Sequence, residues 1–175
     1  KLFDAGNISV TDSLEESHEN LYKTVNKILS DGKKVIVLGG GNDIAYPNGN
    51  AMAETFGVGN WLGVNVDAHF DVEIADDRNN STPFRQLIDE KLIRPDYFYE
   101  IAFQTHFASP IYYRFLLDSG VHLSSLEQIR SRETADLELR EMMRQKFINH
   151  SNSLSTFFSF DMEAVRSADA PGTSF

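Results

Sequence analysis

Asp67, His69 and Asp71, in the run Val66-Asp67-Ala68-His69-Phe70-Asp71, place two carboxylates and an imidazole at alternating positions. On an extended backbone, alternating side chains share one side. Converging there without a cation, they would repel one another or go poorly solvated. A divalent metal such as manganese accepts this mixed oxygen and nitrogen set. Asp161 and Glu163 repeat the i, i+2 spacing in Phe160-Asp161-Met162-Glu163. A third polar run, Gly39-Gly40-Gly41-Asn42-Asp43, closes another apolar stretch. Either acidic pair alone reads equally well as turn residues capping a following helix, because Asp is common in such turns. Both together, at equivalent ends of strands, favour a cleft that binds a cation.

Strands must carry these groups. Residues 35–38 are a β-branched run stopped by glycines and predict a buried parallel strand. Further strands are predicted over Trp61–Val66, 97–103, 121–123 and 156–160. Between them, helical signals recur. Ser13 with Glu16 forms a capping box, and Leu14, His18, Leu21, Val25 and Ile28 then make one apolar stripe ending at Asp31-Gly32. Helices are also expected over 50–57, 84–92 and 110–117, with a charged amphipathic one over 134–147. Alternating strands and helices indicate an α/β fold with a mostly parallel sheet, whose functional groups lie beyond the carboxyl ends of strands.

Composition narrows the classes further. Of 175 residues, 26 are acidic and 16 basic, a net charge of −10. That surplus argues against a nucleic-acid surface, which needs a basic footprint, and it suits a cation site. No stretch approaches the ~20 apolar residues of a membrane span, so no membrane partner is expected. Cysteine is absent, which removes disulfides and thiolate chemistry. With no leader visible, the cytoplasm is the default compartment. No repeat or linker divides residues 1–175, which read as one domain. The start at Lys1 and the turn-rich stop at 170–175 make that domain an expected fragment, incomplete at both ends.

At this point the motifs carry a resemblance. The 66–71 run resembles the Asp-Ala-His-x-Asp signature of the ureohydrolases, the arginase, agmatinase and formimidoylglutamase family. Gly39-Gly40-Gly41-Asn42-Asp43 is similar to its Gly-Gly-x-His segment. Ser159-Phe160-Asp161-Met162-Glu163 resembles its Ser-x-Asp-x-Asp segment. Asp4-Ala5-Gly6-Asn7 and Ser81-Thr82-Pro83-Phe84-Arg85 are most similar to the formimidoylglutamase side. The resemblance implies a three-layer α/β/α fold and a two-manganese centre, of which one or two ions are expected in this chain. In the family that centre activates a bridging hydroxide, which attacks an amidine or guanidine carbon of a small-molecule substrate.

Residue by residue, the resemblance implies that Asp67 and Asp161 bridge two metals. Asp71 then matches a ligand of the first and His69 a ligand of the second. Asn42 occupies the place of a histidine ligand, and an amide oxygen is a far poorer manganese ligand than an imidazole. Glu163 replaces an aspartate and reaches one methylene further. Asn80 stands where arginases and agmatinases carry a histidine, so a proton-shuttling residue is expected to be lost there; by position, Asp71 and Asn80 are the catalytic candidates. Arg85 is a cation near the site sequence, suited either to a substrate carboxylate or to a surface ion pair. Homo-oligomers are common in the family, though no interface is legible here.

Other candidates weaken. The glycine run lacks the Lys-Ser/Thr of a phosphate loop. His18 sits on an apolar stripe and reads as a core or boundary residue, while His106 follows a strand and reads more readily as a surface residue than as part of the cleft. Two functions therefore compete: the leading one is a metal-dependent hydrolase closest to formimidoylglutamase, and the alternative is a non-catalytic binding or structural subunit, to which Asn42, Glu163 and Asn80 together lend more weight than any one of them would. Metal content separates them.

Overall fold

Ser13 caps the first helix as its spacing predicts. The structure, a computed structural model, describes residues 1–131, 137, 140–141, 144–145 and 154–173. In helix α1 (Leu14–Ser30), Ser13 Oγ accepts the Glu16 N–H at 3.2 Å. The reciprocal arm of the box falls to Thr11, whose Oγ1 accepts the Ser13 N–H at 3.3 Å. Such a cap contributes about 1 kcal/mol. His18, Leu21, Val25 and Leu29 form the buried stripe and pack on helix α2 (Ala45–Phe56). Helix α2 starts earlier than expected because a 3-10 turn, Asn42–Ile44, runs straight into it. A Cβ on its Gly49 would lie 2.6 Å from Leu87 of helix α3 (Pro83–Asp89), so the close approach of these helices needs glycine there.

Among the described residues the sheet has four parallel strands: β1 (Trp61–Val66), β2 (Phe98–Phe103), β3 (His122–Ser125) and β4 (Ser155–Phe160). Their order is β3-β2-β1-β4. Helix α4 (Pro110–Ser119) joins β2 to β3, and α5 (Leu126–Ser131) follows β3. Alternation along β1 divides the core. Trp61 faces the cluster that holds Phe84, Leu87, Phe98, Phe103 and Leu116, together with the stripes of α1 and α2. Leu62 and Val64 face the other side, with Tyr97, Tyr99 and Leu154. Full burial of a side chain such as Phe84, Phe98 or Leu87 contributes roughly 1.5–3 kcal/mol. The α/β class and the parallel sheet are as the sequence indicated. The helix expected over 134–147 lies outside the described residues for most of its length.

One expected strand does not form. Residues 35–38 pair with no strand among the described residues. Val35 and Val37 pack against the core while Ile36 and Leu38 are 73% and 88% exposed. The apolar run supplies strand propensity, but a strand exists only through a hydrogen-bonding neighbour. Among the described residues no helix is long and apolar enough to cross a membrane.

Candidate metal centre

The 66–71 run brings its polar groups together by turning, and not by the continuous extended backbone that the spacing predicts. β1 stops at Val66, and the Asp67 N–H makes a last rung to Ile101 O at 3.1 Å. Asp67 Oδ1 then accepts the His69 N–H at 2.8 Å, closing a local turn. Asp71 adopts φ 50°, left-handed backbone that an aspartate tolerates better than most residues. Ala68 and Phe70 fill the core on the opposite side, so the polar residues face the cleft.

The neighbouring strand completes the cluster. The Asp161 N–H donates to Val66 O at 3.0 Å, which sets Asp161 beside Asp67 at the carboxyl ends of β4 and β1. Asp161 Oδ1 accepts the Glu163 N–H at 2.7 Å and so caps a 3-10 turn, Met162–Ala164. That turn swings Glu163 back over the cleft, where its Oε2 lies 2.9 Å from His69 Nδ1. Asp67, His69 and Glu163 each offer a ligand atom within 4.8 Å of the others.

Asn42 arrives from the turn after the glycine run. Its Nδ2 donates to Asp67 Oδ2 at 3.3 Å and makes a shorter hydrogen bond to Asp71 Oδ2. Its Oδ1 accepts from Ser159 Oγ at 3.4 Å. The nitrogen end of the amide therefore faces the carboxylates. The expected residue is in the site, but it acts there as a donor.

Electrostatics follow from burial. Asp71 is pushed up to about 8, chiefly by burial and then by the charge of Asp67. Burial also raises Asp161 above the usual carboxylate range. His69 is raised, first by its hydrogen bond to Asp67 and, against the opposing pull of burial, by the charges of Asp67, Glu163 and Asp71. The imidazole, pulled toward its protonated form, and an amide N–H thus offset part of the crowding. A divalent cation would do the same with one ion, and this donor set of carboxylate oxygens and an imidazole fits one. Asp67, His69 and Glu163 would hold it, with Asp161 alongside. Asp71 and Asn42 would flank a second position.

The remaining expected residues divide. Asn80 is exposed at the rim, where a Cβ on Gly41 would lie 3.7 Å from its own Cβ. Arg85 is held on α3, with Nε 2.6 Å from Asp89 Oδ2 and its guanidinium over the Phe115 ring. His106 is exposed and packs against Phe107 with the two rings tilted by 45°. Phe107 in turn lies against His69, ring centroids 5.5 Å apart, and walls that side of the cleft.

Two features escaped the sequence reading. Glu100, fully buried on β2, accepts a hydrogen bond from Asn65 Nδ2 at 3.0 Å, one step behind Asp67 on the same face of β1. Burial holds its carboxyl well above the usual range, and the charges of Asp67 and Asp71 add to that. His18 on α1 reaches Asp43 in the glycine-run turn. A polar residue amid the apolar run 97–103 was the only available signal for the first. For the second it was a histidine on an apolar stripe.

Comparison with known proteins points one way. A family model described as "Arginase family" matches residues 1–175. The formimidoylglutamase of Bacillus subtilis (strain 168) is 29% identical over 98% of this chain and 53% of its own length. Its crystal structure superposes with a TM-score of 0.88 at 27% identity, covering 99% of this chain and 54% of that one. The Trypanosoma cruzi formiminoglutamase, solved with Mn2+2, gives a TM-score of 0.87 at 36% identity over 100% of this chain and 57% of its own. The chain spans about half the length of these relatives.

Proposed function

The chain belongs to the arginase family, and on that footing we propose that it is a metal-dependent hydrolase of amidine or guanidine carbon–nitrogen bonds. The reading is formimidoylglutamase-like, with manganese as the cofactor and a small molecule as the substrate. One observation carries it: Asp67, His69 and Glu163 converge within 4.8 Å where two adjacent parallel strands end. Relatives named as formimidoylglutamases, one of them solved with manganese, support the same reading.

When bound, manganese supplies a Lewis acid that makes water a competent nucleophile near neutral pH. The chain's own groups do the rest. Asp67 and Asp161 offer oxygens from neighbouring strand ends, and Glu163 adds a carboxylate from its turn. His69 offers Nδ1 once its proton leaves. Burial and the charge of Asp67 favour the protonated form of Asp71, so taking up a cation beside it draws that proton off. Asn80 has no ionisable proton, so it serves to orient a substrate by hydrogen bonding and not to shuttle protons. Arg85 would meet a substrate carboxylate only by leaving Asp89.

The test is manganese content with turnover. The chain, equilibrated with manganese and washed, should retain metal by elemental analysis and hydrolyse formimidoylglutamate in preference to arginine or agmatine. A chain that retains no manganese at any concentration overturns the reading.

A further inference from the structure

His18 lies on the buried stripe of α1, only 4% exposed, yet its ring reaches out of that stripe to the turn after the glycine run. Its Nε2 is 2.6 Å from Asp43 Oδ2. A carboxylate only accepts, so Nε2 carries the proton and donates it. The opposite nitrogen, Nδ1, is buried and has no hydrogen-bond partner among the described residues, beside a cavity of about 120 Å³ lined in part by Tyr22, Tyr46 and Arg78. An apolar side chain would fill this position with no orphaned nitrogen. Core packing therefore does not account for the histidine; the bond to Asp43 does.

Asp43 is the neighbour of Asn42 in one 3-10 turn, and the two side chains go opposite ways. Asn42 reaches Asp67 and Asp71, while Asp43 folds back over Gly41 to His18. A Cβ on Gly41 would stand 2.6 Å from Asp43 Oδ1, so only glycine leaves room for that path. What precedes the turn restrains it poorly. Gly39 and Gly40 both have positive φ, and residues 35–38 are anchored to no strand among the described residues. An anchor on the buried stripe of a long helix supplies the missing restraint.

We propose that His18 is a positioning residue for the metal centre: through Asp43 it fixes the turn that presents Asn42 to Asp67 and Asp71. This rests on the functional reading above. It adds a residue on a distant helix whose role is to hold the cluster's geometry without touching metal or substrate.

The experiment compares His18→Leu, which keeps bulk and loses the donor, with His18→Gln, which places an amide donor near the position of Nε2. The probe is manganese alone, with free metal followed by electron paramagnetic resonance and unfolding followed by melting curves. His18→Leu should weaken manganese binding by about tenfold, and His18→Gln should recover it to within about threefold, the scale seen when groups behind metal ligands are altered. In an Asn42→Ala background, His18→Leu should cost nothing more, since the turn then has no side chain to present. Equal affinity in parent and His18→Leu, or an equal loss in the Asn42→Ala background, overturns the proposal while leaving the functional reading standing. A parent that binds no manganese overturns both. Should His18→Leu fail to fold, Asp43→Ala against Asp43→Asn makes the same comparison from a side chain that is not fully buried.

Discussion

Glu163 Oε2 lies 2.9 Å from His69 Nδ1, which joins the turn after β4 to the turn after β1 across the mouth of the cleft. The contact exists because Asp161 caps the 3-10 turn that carries Glu163 back. Glu163→Gln keeps the shape and removes the charge. It should lower manganese affinity at least about tenfold, by analogy with other perturbed metal shells, while the melting temperature without metal stays level or rises. Isothermal titration with manganese and a metal-free melt check both parts.

Manganese should also stabilise the parent chain. Ligand at a hundredfold excess over its dissociation constant adds about 2.7 kcal/mol to folding, or roughly 5–10 °C for a chain of this size. The gain should shrink as pH falls, because His69, raised above its ordinary 6.5, must lose its proton to ligate. Melting curves across a manganese titration at two pH values test this. A flat response would count against a working site.

Asn42→His replaces an amide whose nitrogen faces the carboxylates with a ring nitrogen that has a lone pair to offer them. The variant should bind more manganese than the parent and lose the excess below about pH 6, as the new imidazole protonates. Elemental analysis of both proteins at pH 7.5 and 5.5 gives the comparison. Identical uptake would mean that position 42 does not serve the cluster.

Glu100 governs a separate pH dependence. Its folded-state pKa lies well above the ordinary 4.5, because burial disfavours the charged form. The stability this proton contributes is complete below the unfolded value and is lost as pH rises toward the folded one, at a slope of up to about 1.4 kcal/mol per pH unit. Glu100→Gln removes the titration and gives Asn65 Oδ1, buried with no partner among the described residues, an amide donor to meet. The variant should equal the parent near pH 4.5 and exceed it at pH 7–8. Urea unfolding across that range is the measurement. A parent at least as stable as the variant at pH 8 would show Glu100 to be better accommodated than its burial implies.

The sequence carried the parts of this molecule that depend on local pattern. β1 was legible to the residue, because an apolar run ending in Asp67 has only one sensible boundary. The acidic residues of the cluster were legible for the same reason. Their geometry was not. A two-residue spacing is common to an extended strand and to the turn that Asp67 closes onto His69, and nothing local separates them. Residues 35–38 misled because propensity is written in the sequence and pairing is not. His18 looked like one more stripe residue because its partner, Asp43, comes from a different segment of the chain.

β4 is the outermost strand of the described sheet on its side, and Phe158 and Phe160 stand half exposed on it. Among the described residues no further strand pairs with that edge, and an edge of unpaired N–H and C=O groups beside aromatic side chains is a template for another strand, from elsewhere in the same protein or from a second copy. The net charge of −10 keeps copies apart while their fields overlap. At 0.15 M salt those fields decay over about 8 Å, so the edge meets little opposition at close range. Ionic strength thus becomes a colloidal control: the chain on its own should stay dispersed in dilute buffer and cluster edge to edge as salt rises. Light scattering would follow that clustering, and a Phe158→Lys substitution should suppress it.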